Sequence, residues 1–176
     1  MYYSTTCPSP VGVITLACDD EYLVGLWLEG QKYFGASIPE VMAENNNKPV
    51  FSAAKEWLNK YFAGEKPAVS ELPLAPIGSE FRQRVWEILC EIPYGEVTTY
   101  GSIARKIAAK MNRASMSCQA VGGAVGHNPI SIIIPCHRVI GSNGSLTGYA
   151  GGVKTKMKLL ELEGADTSKL SLSSSE

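Results

Sequence analysis

The stretch from residue 64 to 78 constrains the fold more than any other part of the chain. Pro67, Pro73 and Pro76 deny it both regular periodicities, and it separates two halves with different patterns. The first half reads as strands: residues 1–6, then 11–17 after Ser9-Pro10, then 22–28 after Asp19-Asp20. A polar connection over 43–48 leads to Phe51, Ala54, Trp57, Leu58, Tyr61 and Phe62, which recur at helical spacing until Gly64 stops the helix. Beyond the linker the pattern is helical. Ser79 can cap a helix with Phe81, Val85, Ile88, Leu89 and Ile92 on one stripe, ended by Pro93-Tyr94-Gly95. Thr99 can cap a second helix over 100–110, and a third is predicted over 115–126, stopped by His127-Asn128-Pro129. A last helix is predicted over 153–163, with Met157, Leu160 and Leu162 apolar and Gly164 as its stop. The expected fold class is therefore α+β, with one unit over 1–78 including the linker, a second over 79–165, and a serine-rich disordered tail over 166–176.

Composition excludes several classes. No apolar stretch approaches the roughly 18 residues of a membrane span, and the N-terminus has no basic region followed by an apolar one, so a cytoplasmic monomer away from membranes is expected. Five scattered cysteines without a C-x-x-C pair fit reduced thiols, and with only His127 and His137 available a metal site is not expected. Charge is uneven. Residues 1–78 carry five Lys and no Arg against nine Asp and Glu, a net of −4, whereas 79–165 carry ten Lys and Arg against six Glu, a net of +4. A basic half can meet a polyanion, although a charge of this size is also an ordinary solvated surface. Three short helices read either as a plain bundle or as a helix-turn-helix. The third carries Ala120, Gly122, Gly123, Ala124 and Gly126, which leaves it little bulk on one face and lets it approach a nucleic-acid groove closely.

The chemistry points to Cys136. Ile132-Ile133-Ile134 runs into Pro135-Cys136-His137-Arg138-Val139, and since Pro135 cannot donate to a ladder, a strand is expected to end there and leave Cys136 on a turn. A thiol with an unperturbed pKa of about 8.5 needs a proton acceptor to react at neutral pH, and the imidazole of the neighbouring His137 titrates in the right range. The competing reading is a small buried hydrophobe.

These motifs resemble the O6-alkylguanine-DNA alkyltransferases, also called methylated-DNA–protein-cysteine methyltransferases. The resemblance rests on Ile134-Pro135-Cys136-His137-Arg138-Val139, on Ala120-Val121-Gly122-Gly123-Ala124 ahead of it, on Asn128-Pro129, and on Gly148-Tyr149-Ala150-Gly151-Gly152 behind it. It covers 79–164 closely and the first half only in its strand-then-helix order. It implies a small ribonuclease-H-like N-terminal domain and a winged-helix C-terminal domain. The activity it implies is direct, single-use transfer of a methyl or alkyl group from O6 of a flipped-out guanine in double-stranded DNA to Cys136, without a cofactor; O4-alkylthymine stays open as a second substrate. On this resemblance His137 takes the Cys136 proton through a water and Glu163 orients His137. Asn128 ties the recognition helix to the active-site turn. Tyr100 helps rotate the nucleotide, Tyr149 lines the pocket, and the backbone near Val139 and Ala150 reads the base edge.

Each role has a plainer competitor. Tyr100 and Tyr149 fit packing, Asn128 fits a helix C-cap, and Arg138 is either structural or a phosphate contact. Glu163 is otherwise a solvated charge at the unfavourable end of a helix dipole. The family places an arginine before the Ala-Val-Gly-Gly string to fill the vacated base stack, and here that position is Gln119, with Arg113 in a segment longer than usual. The rival functions are an alkyl-lesion-binding winged-helix protein or regulator without chemistry, which would lack the cysteine, and a cysteine hydrolase, which would need an oxyanion hole.

Overall fold

A computed structural model of the protein describes residues 1–146 and 148–171, and the chain divides into two compact units. One holds Met1–Gly78 together with Pro129–Ile133; the other holds Ser79–Asn128 together with the chain from Ile134 onward.

Local turn chemistry builds the first unit. The Asp19 carboxylate accepts the backbone N–H groups of Glu21 and Tyr22 at 2.8 and 2.7 Å, so β2 (Ile14–Cys18) folds back antiparallel onto β3 (Leu23–Leu28). β1 (Tyr3–Cys7) pairs antiparallel with β2, and the two-residue β4 (Ala43–Glu44) lies parallel to β1, giving the order β3-β2-β1-β4. β2 begins three residues later than alternation predicts, because residues 9–12 are used in a turn closed by Gly12 N–H on the Ser9 carbonyl at 3.1 Å. α1 (Pro49–Phe62) starts with proline at a position that needs no N–H, and it buries Phe51, Ala54, Trp57, Leu58 and Tyr61 against β2 and β3. Each large apolar side chain so buried contributes about 1.5–3 kcal/mol. A separate cluster gathers Tyr2, Ile38, Met42, Ala75 and Ile77 around Ala17, Val24 and Trp27.

The free edge of β3 is covered twice. Leu23 N–H donates to the Pro73 carbonyl at 2.8 Å, and the Leu23 carbonyl accepts from Ala75 N–H at 2.9 Å. Likewise Leu26 N–H donates to the Pro129 carbonyl at 2.8 Å, and the Leu26 carbonyl accepts from Ser131 N–H at 3.0 Å. Each segment therefore puts a proline, which has no N–H, at the position that only accepts. The stretch over 64–78 is thus more than a surface linker: it holds a 3₁₀ turn at Val69–Glu71 and closes a sheet edge.

The second unit begins with α2 (Glu80–Leu89), capped by Ser79 Oγ accepting Arg82 N–H, and continues with α3 (Tyr100–Lys110), capped by Thr99 Oγ1 accepting Ser102 N–H. Both caps are the ones expected. α4 (Cys118–Gly126) starts later than predicted because Ser117, not Ser115, supplies the cap by accepting Ala120 N–H at 3.1 Å. Trp86 of α2 donates its indole N–H to the Ala124 carbonyl of α4 at 2.9 Å, and α2, α3 and α4 pack together as a helix-turn-helix. β5 (Thr98–Thr99) and β6 (Val139–Ile140) form a parallel pair, and α5 (Val153–Leu162) ends on Glu163 as its C-cap. The protein thus has one sheet-and-helix unit and one largely helical unit, as expected of an α+β chain.

Two expectations change. The tail does not lose order at residue 166: Leu146 N–H donates to the Ser171 carbonyl at 3.1 Å, Ser171 N–H donates to Gly144, and Leu170 packs with Ile140, Leu146 and Leu160. Residues 172–176 of that expected tail lie outside the described residues. The isoleucine run is not a strand either, as detailed below. Among the described residues, no helix is long and apolar enough to cross a membrane.

Candidate active site

Two successive γ-turns deliver Cys136. Ile132 has φ +70°, and Ile133 N–H donates to the Ser131 carbonyl at 2.8 Å, which closes a three-residue turn of the φ-positive kind. For a β-branched residue this region is strained, at a cost of about 1–3 kcal/mol. Pro135, with φ −81° and ψ 64°, centres the second turn, in which Cys136 N–H donates to the Ile134 carbonyl at 2.8 Å. The run from Ile130 to Ile134 is buried as its apolarity demands. Its hydrogen bonds go to Leu26 and to these turns, not to a ladder. Asn128 Nδ2 donates to the Ile134 carbonyl at 2.8 Å, so the residue after the C-cap of α4 holds the turn that presents the thiol.

Cys136, His137 and Arg138 form a short 3₁₀ turn, and all three are buried. His137 Nε2 lies 2.6 Å from Glu163 Oε2. Glu163 is also held by Arg138, whose Nε donates to Oε1 at 2.8 Å and whose Nη2 donates to Oε2 at 3.0 Å, and by Gly95 N–H at 3.1 Å. Burial alone would raise the Glu163 carboxyl, but the His137 and Arg138 hydrogen bonds overcome it and hold the group well below the usual carboxylate range. Being ionised, Glu163 only accepts, so the His137 proton sits on Nε2 and Nδ1 carries the lone pair. Nδ1 is buried and has no protein hydrogen-bond partner among the described residues. Burial pushes the His137 pKa down more than Glu163 pulls it up, which leaves a neutral imidazole able to accept a proton.

The thiol itself is shifted the other way. Burial pushes Cys136 up, opposed by a hydrogen bond from Asn128 and by the Lys156 charge. Both shifts favour the uncharged forms, a thiol at Cys136 and a neutral imidazole at His137. Lys156 was not singled out by sequence reading, yet it is fully buried on α5. A signal was present: Lys156, Leu159, Leu160 and Glu163 follow i, i+3, i+4, i+7, which places a cation and an anion on the buried face. Arg138, expected either as a structural residue or on phosphate, is turned inward; its Nη1 also donates to the Ile92 carbonyl at 2.6 Å, which favours the structural reading.

Tyr100, at the start of α3, comes close to the loop after Cys136: a Cβ on Gly148, whose φ is +88°, would lie 2.9 Å from the Tyr100 hydroxyl. Tyr149 is buried beside it, Ala150 is half-buried, and Val139 is buried in β6, paired with Thr98. Gln119 and Arg113 are both exposed, the first on the opening turn of α4 and the second in the connection ahead of it. Neither meets the cysteine network.

Family models match both units: the 6-O-methylguanine DNA methyltransferase DNA binding domain over residues 80–165, and the ribonuclease-like domain of the same family over 1–76. The chain belongs to the 6-O-methylguanine DNA methyltransferase family. It is 47% identical over 166 residues to a methylated-DNA–protein-cysteine methyltransferase of Methanosarcina acetivorans, covering 94% of this chain and 99% of that one. It is 42% identical over 161 residues to the enzyme of that name from Haemophilus influenzae, covering 92% and 86%. Among solved structures, the Mycobacterium tuberculosis OGT in complex with DNA matches with a TM-score of 0.77 at 44% identity, covering 93% of this chain and 92% of that one. In this family member the cysteine network and the helix-turn-helix are parts of one unit.

Proposed function

We propose that this protein repairs double-stranded DNA by transferring a methyl or alkyl group from O6 of guanine to Cys136, once per molecule. The observation that carries the reading is the buried hydrogen bond from His137, which follows Cys136 in one buried turn, to an ionised Glu163. Cys136 gives its proton to Nδ1 of His137, through a water, as sulfur attacks the alkyl carbon. The bond from that carbon to O6 breaks, its electron pair stays on the base, and the guanine anion takes up the proton that His137 passes back through water. Glu163 stabilises the imidazolium formed at His137, and Lys156 stabilises the negative charge developing on sulfur. The product thioether has no acidic proton and is a poor leaving group, which accounts for single use.

A buried thiol cannot reach a stacked base, so the nucleotide must be extruded. The outward face of α4 supports close approach to DNA. Gly122 and Gly123 have helical backbones, and a Cβ at either would meet nothing within 4 Å. Internal packing does not require these glycines, and each costs the helix about 1 kcal/mol relative to alanine. Their bareness serves a surface outside the protein. Tyr100 and Tyr149 would receive the extruded base, with the backbone at Val139 and Ala150 reading its edge, while Gln119 or Arg113 fills the gap in the stack. The reading is tested by incubating the protein, without cofactor, with a duplex carrying one O6-methylguanine and hydrolysing the DNA to nucleosides. Conversion to guanine in proportion to protein is expected, and unchanged O6-methylguanine would overturn the reading.

A further inference from the structure

The catalytic network explains nothing about the strained turn that precedes it, and the support for that turn lies in the first unit. Ile132 must keep φ +70° for the chain to reverse within three residues and reach Pro135 and Cys136 from the Ser131 side. Isoleucine relaxes readily to extended conformations, where the chain would leave Ser131 in another direction. Something must hold both ends of the turn. On the far side, Asn128 holds the Ile134 carbonyl. On the near side, Ser131 is fixed three ways within the N-terminal unit: its N–H donates to the Leu26 carbonyl at 3.0 Å, its carbonyl closes the turn, and its Oγ donates to Gln31 Oε1 at 3.1 Å.

Gln31 is built for this contact. It follows the end of β3, it is buried, and the same Oε1 accepts Leu28 N–H at 3.0 Å, so the side chain is locked to the strand whose edge carries residues 129–131. A buried carboxamide oxygen taking one bond from a strand end and one from a residue 100 positions away is a specific tether, not a solubilising group.

We infer that Gln31 is a positioning residue for alkyl transfer: through Ser131 it holds the strained turn at Ile132 and so sets where the Cys136 thiol sits. This gives the ribonuclease-like unit a role in the chemistry, and it rests on the alkyl-transfer reading above. Loss of the tether lets the turn relax while leaving His137, Glu163 and α4 untouched. A small displacement of a nucleophile lowers rate without removing any reacting group.

The test compares Gln31→Met, which keeps length and loses the acceptor, with Gln31→Glu, which keeps an acceptor oxygen for both donors. The full-length proteins are assayed for single-turnover reaction with free O6-benzylguanine, affinity for unmodified duplex, cooperative thermal unfolding and the pH–rate profile. The inference expects Gln31→Met to fold, to bind duplex as the wild type does, and to react about tenfold to a hundredfold more slowly. The acid limb of the profile stays in place, since His137 and Glu163 are unchanged, and Gln31→Glu recovers most of the rate. If Gln31→Met fails to fold, Ser131→Ala, which removes the other end of the tether, is judged by the same criteria. A Gln31→Met rate within about twofold of wild type, or an equal loss in Gln31→Glu, overturns the inference. Failure of the alkyl-transfer reading is distinguishable, because the wild-type protein itself would then not react.

Discussion

The turn at Cys136 and the outward face of α4 are opposite solutions to one problem. Around Cys136 the polar side chains are buried and hold one another: Glu163 takes bonds from His137, Arg138 and Gly95, and Asn128 holds the turn. On α4, Cys118, Gln119, Ala120 and Gly123 are exposed, and a Cβ on either central glycine would meet nothing within 4 Å. One region works by fixing atoms and the other by omitting them. The contrast between Cys136 and Cys118 makes the same point. Cys118 is exposed at the first residue of a helix, whereas Cys136 is nearly inaccessible and its thiol is pushed up by burial. Exposure alone would choose Cys118, so on the alkyl-transfer reading selectivity for Cys136 comes from His137, the next residue in the chain.

The comparison breaks most completely at the thiol. Cys136→Ala should abolish transfer while duplex affinity, measured by fluorescence anisotropy, stays unchanged, because the proposed binding surface is α4 and not the thiol. Next in size is Glu163→Gln. Loss of an oriented acid–base partner costs about 10²–10⁴ in rate, and the variant should also raise the apparent pKa of Cys136 in an iodoacetamide titration. An unchanged pH–rate profile would remove Glu163 from the mechanism.

The α4 face gives effects of the opposite character. Gly123→Leu should weaken duplex binding by about tenfold, equivalent to about 1.4 kcal/mol, while leaving the reaction with free O6-benzylguanine alone and making the helix more stable. Equal loss with free base and duplex would show that the glycine serves the fold. Smaller still is the stack-filling position. Gln119→Arg should speed repair of duplex severalfold with little change for the free base, because a guanidinium stacks and meets phosphate better than a carboxamide. If Gln119→Arg has no effect while Arg113→Ala slows duplex repair, Arg113 fills the gap.

The smallest expected effect is on stability against pH. His137 and Glu163 both have folded-state values below their unfolded ones, so in each case the unfolded chain binds more protons. Stability is therefore full above about 6.5 and is lost as pH falls through that value and on past about 4.3, the unfolded His and Glu values. Cys136, shifted up, acts the other way and lowers stability above about 8.5. Thermal unfolding followed from pH 4 to 10, estimated limits that bracket these unfolded values, should show a maximum between them. In Glu163→Gln the acid limb should be shallower.

Local features of this chain were legible in its sequence, and partners distant along it were not. Ser79 and Thr99 cap the helices they precede because capping involves residues three apart. The adjacency of Cys136 and His137 and the position of Glu163 at a helix end pointed to a network before any coordinates did. The inward turn of Arg138 depends on Glu163 and on the Ile92 carbonyl, 25 and 46 residues away, and no local pattern encodes it. The isoleucine run misled for the same reason: its composition fits a strand, but Leu26 and Gln31 decide its conformation. Lys156 was readable from helical spacing once a lysine among buried positions is taken as a signal and not as a surface residue.

The most direct test of the central claim is intact-mass measurement after titrating the protein with a duplex containing O6-methylguanine, followed by peptide mapping. The account predicts a gain of one methylene per molecule, located on the peptide containing Cys136, with repair ceasing once all protein is modified. Continued repair by unmodified protein, or a methyl group on Cys118 instead, would contradict it.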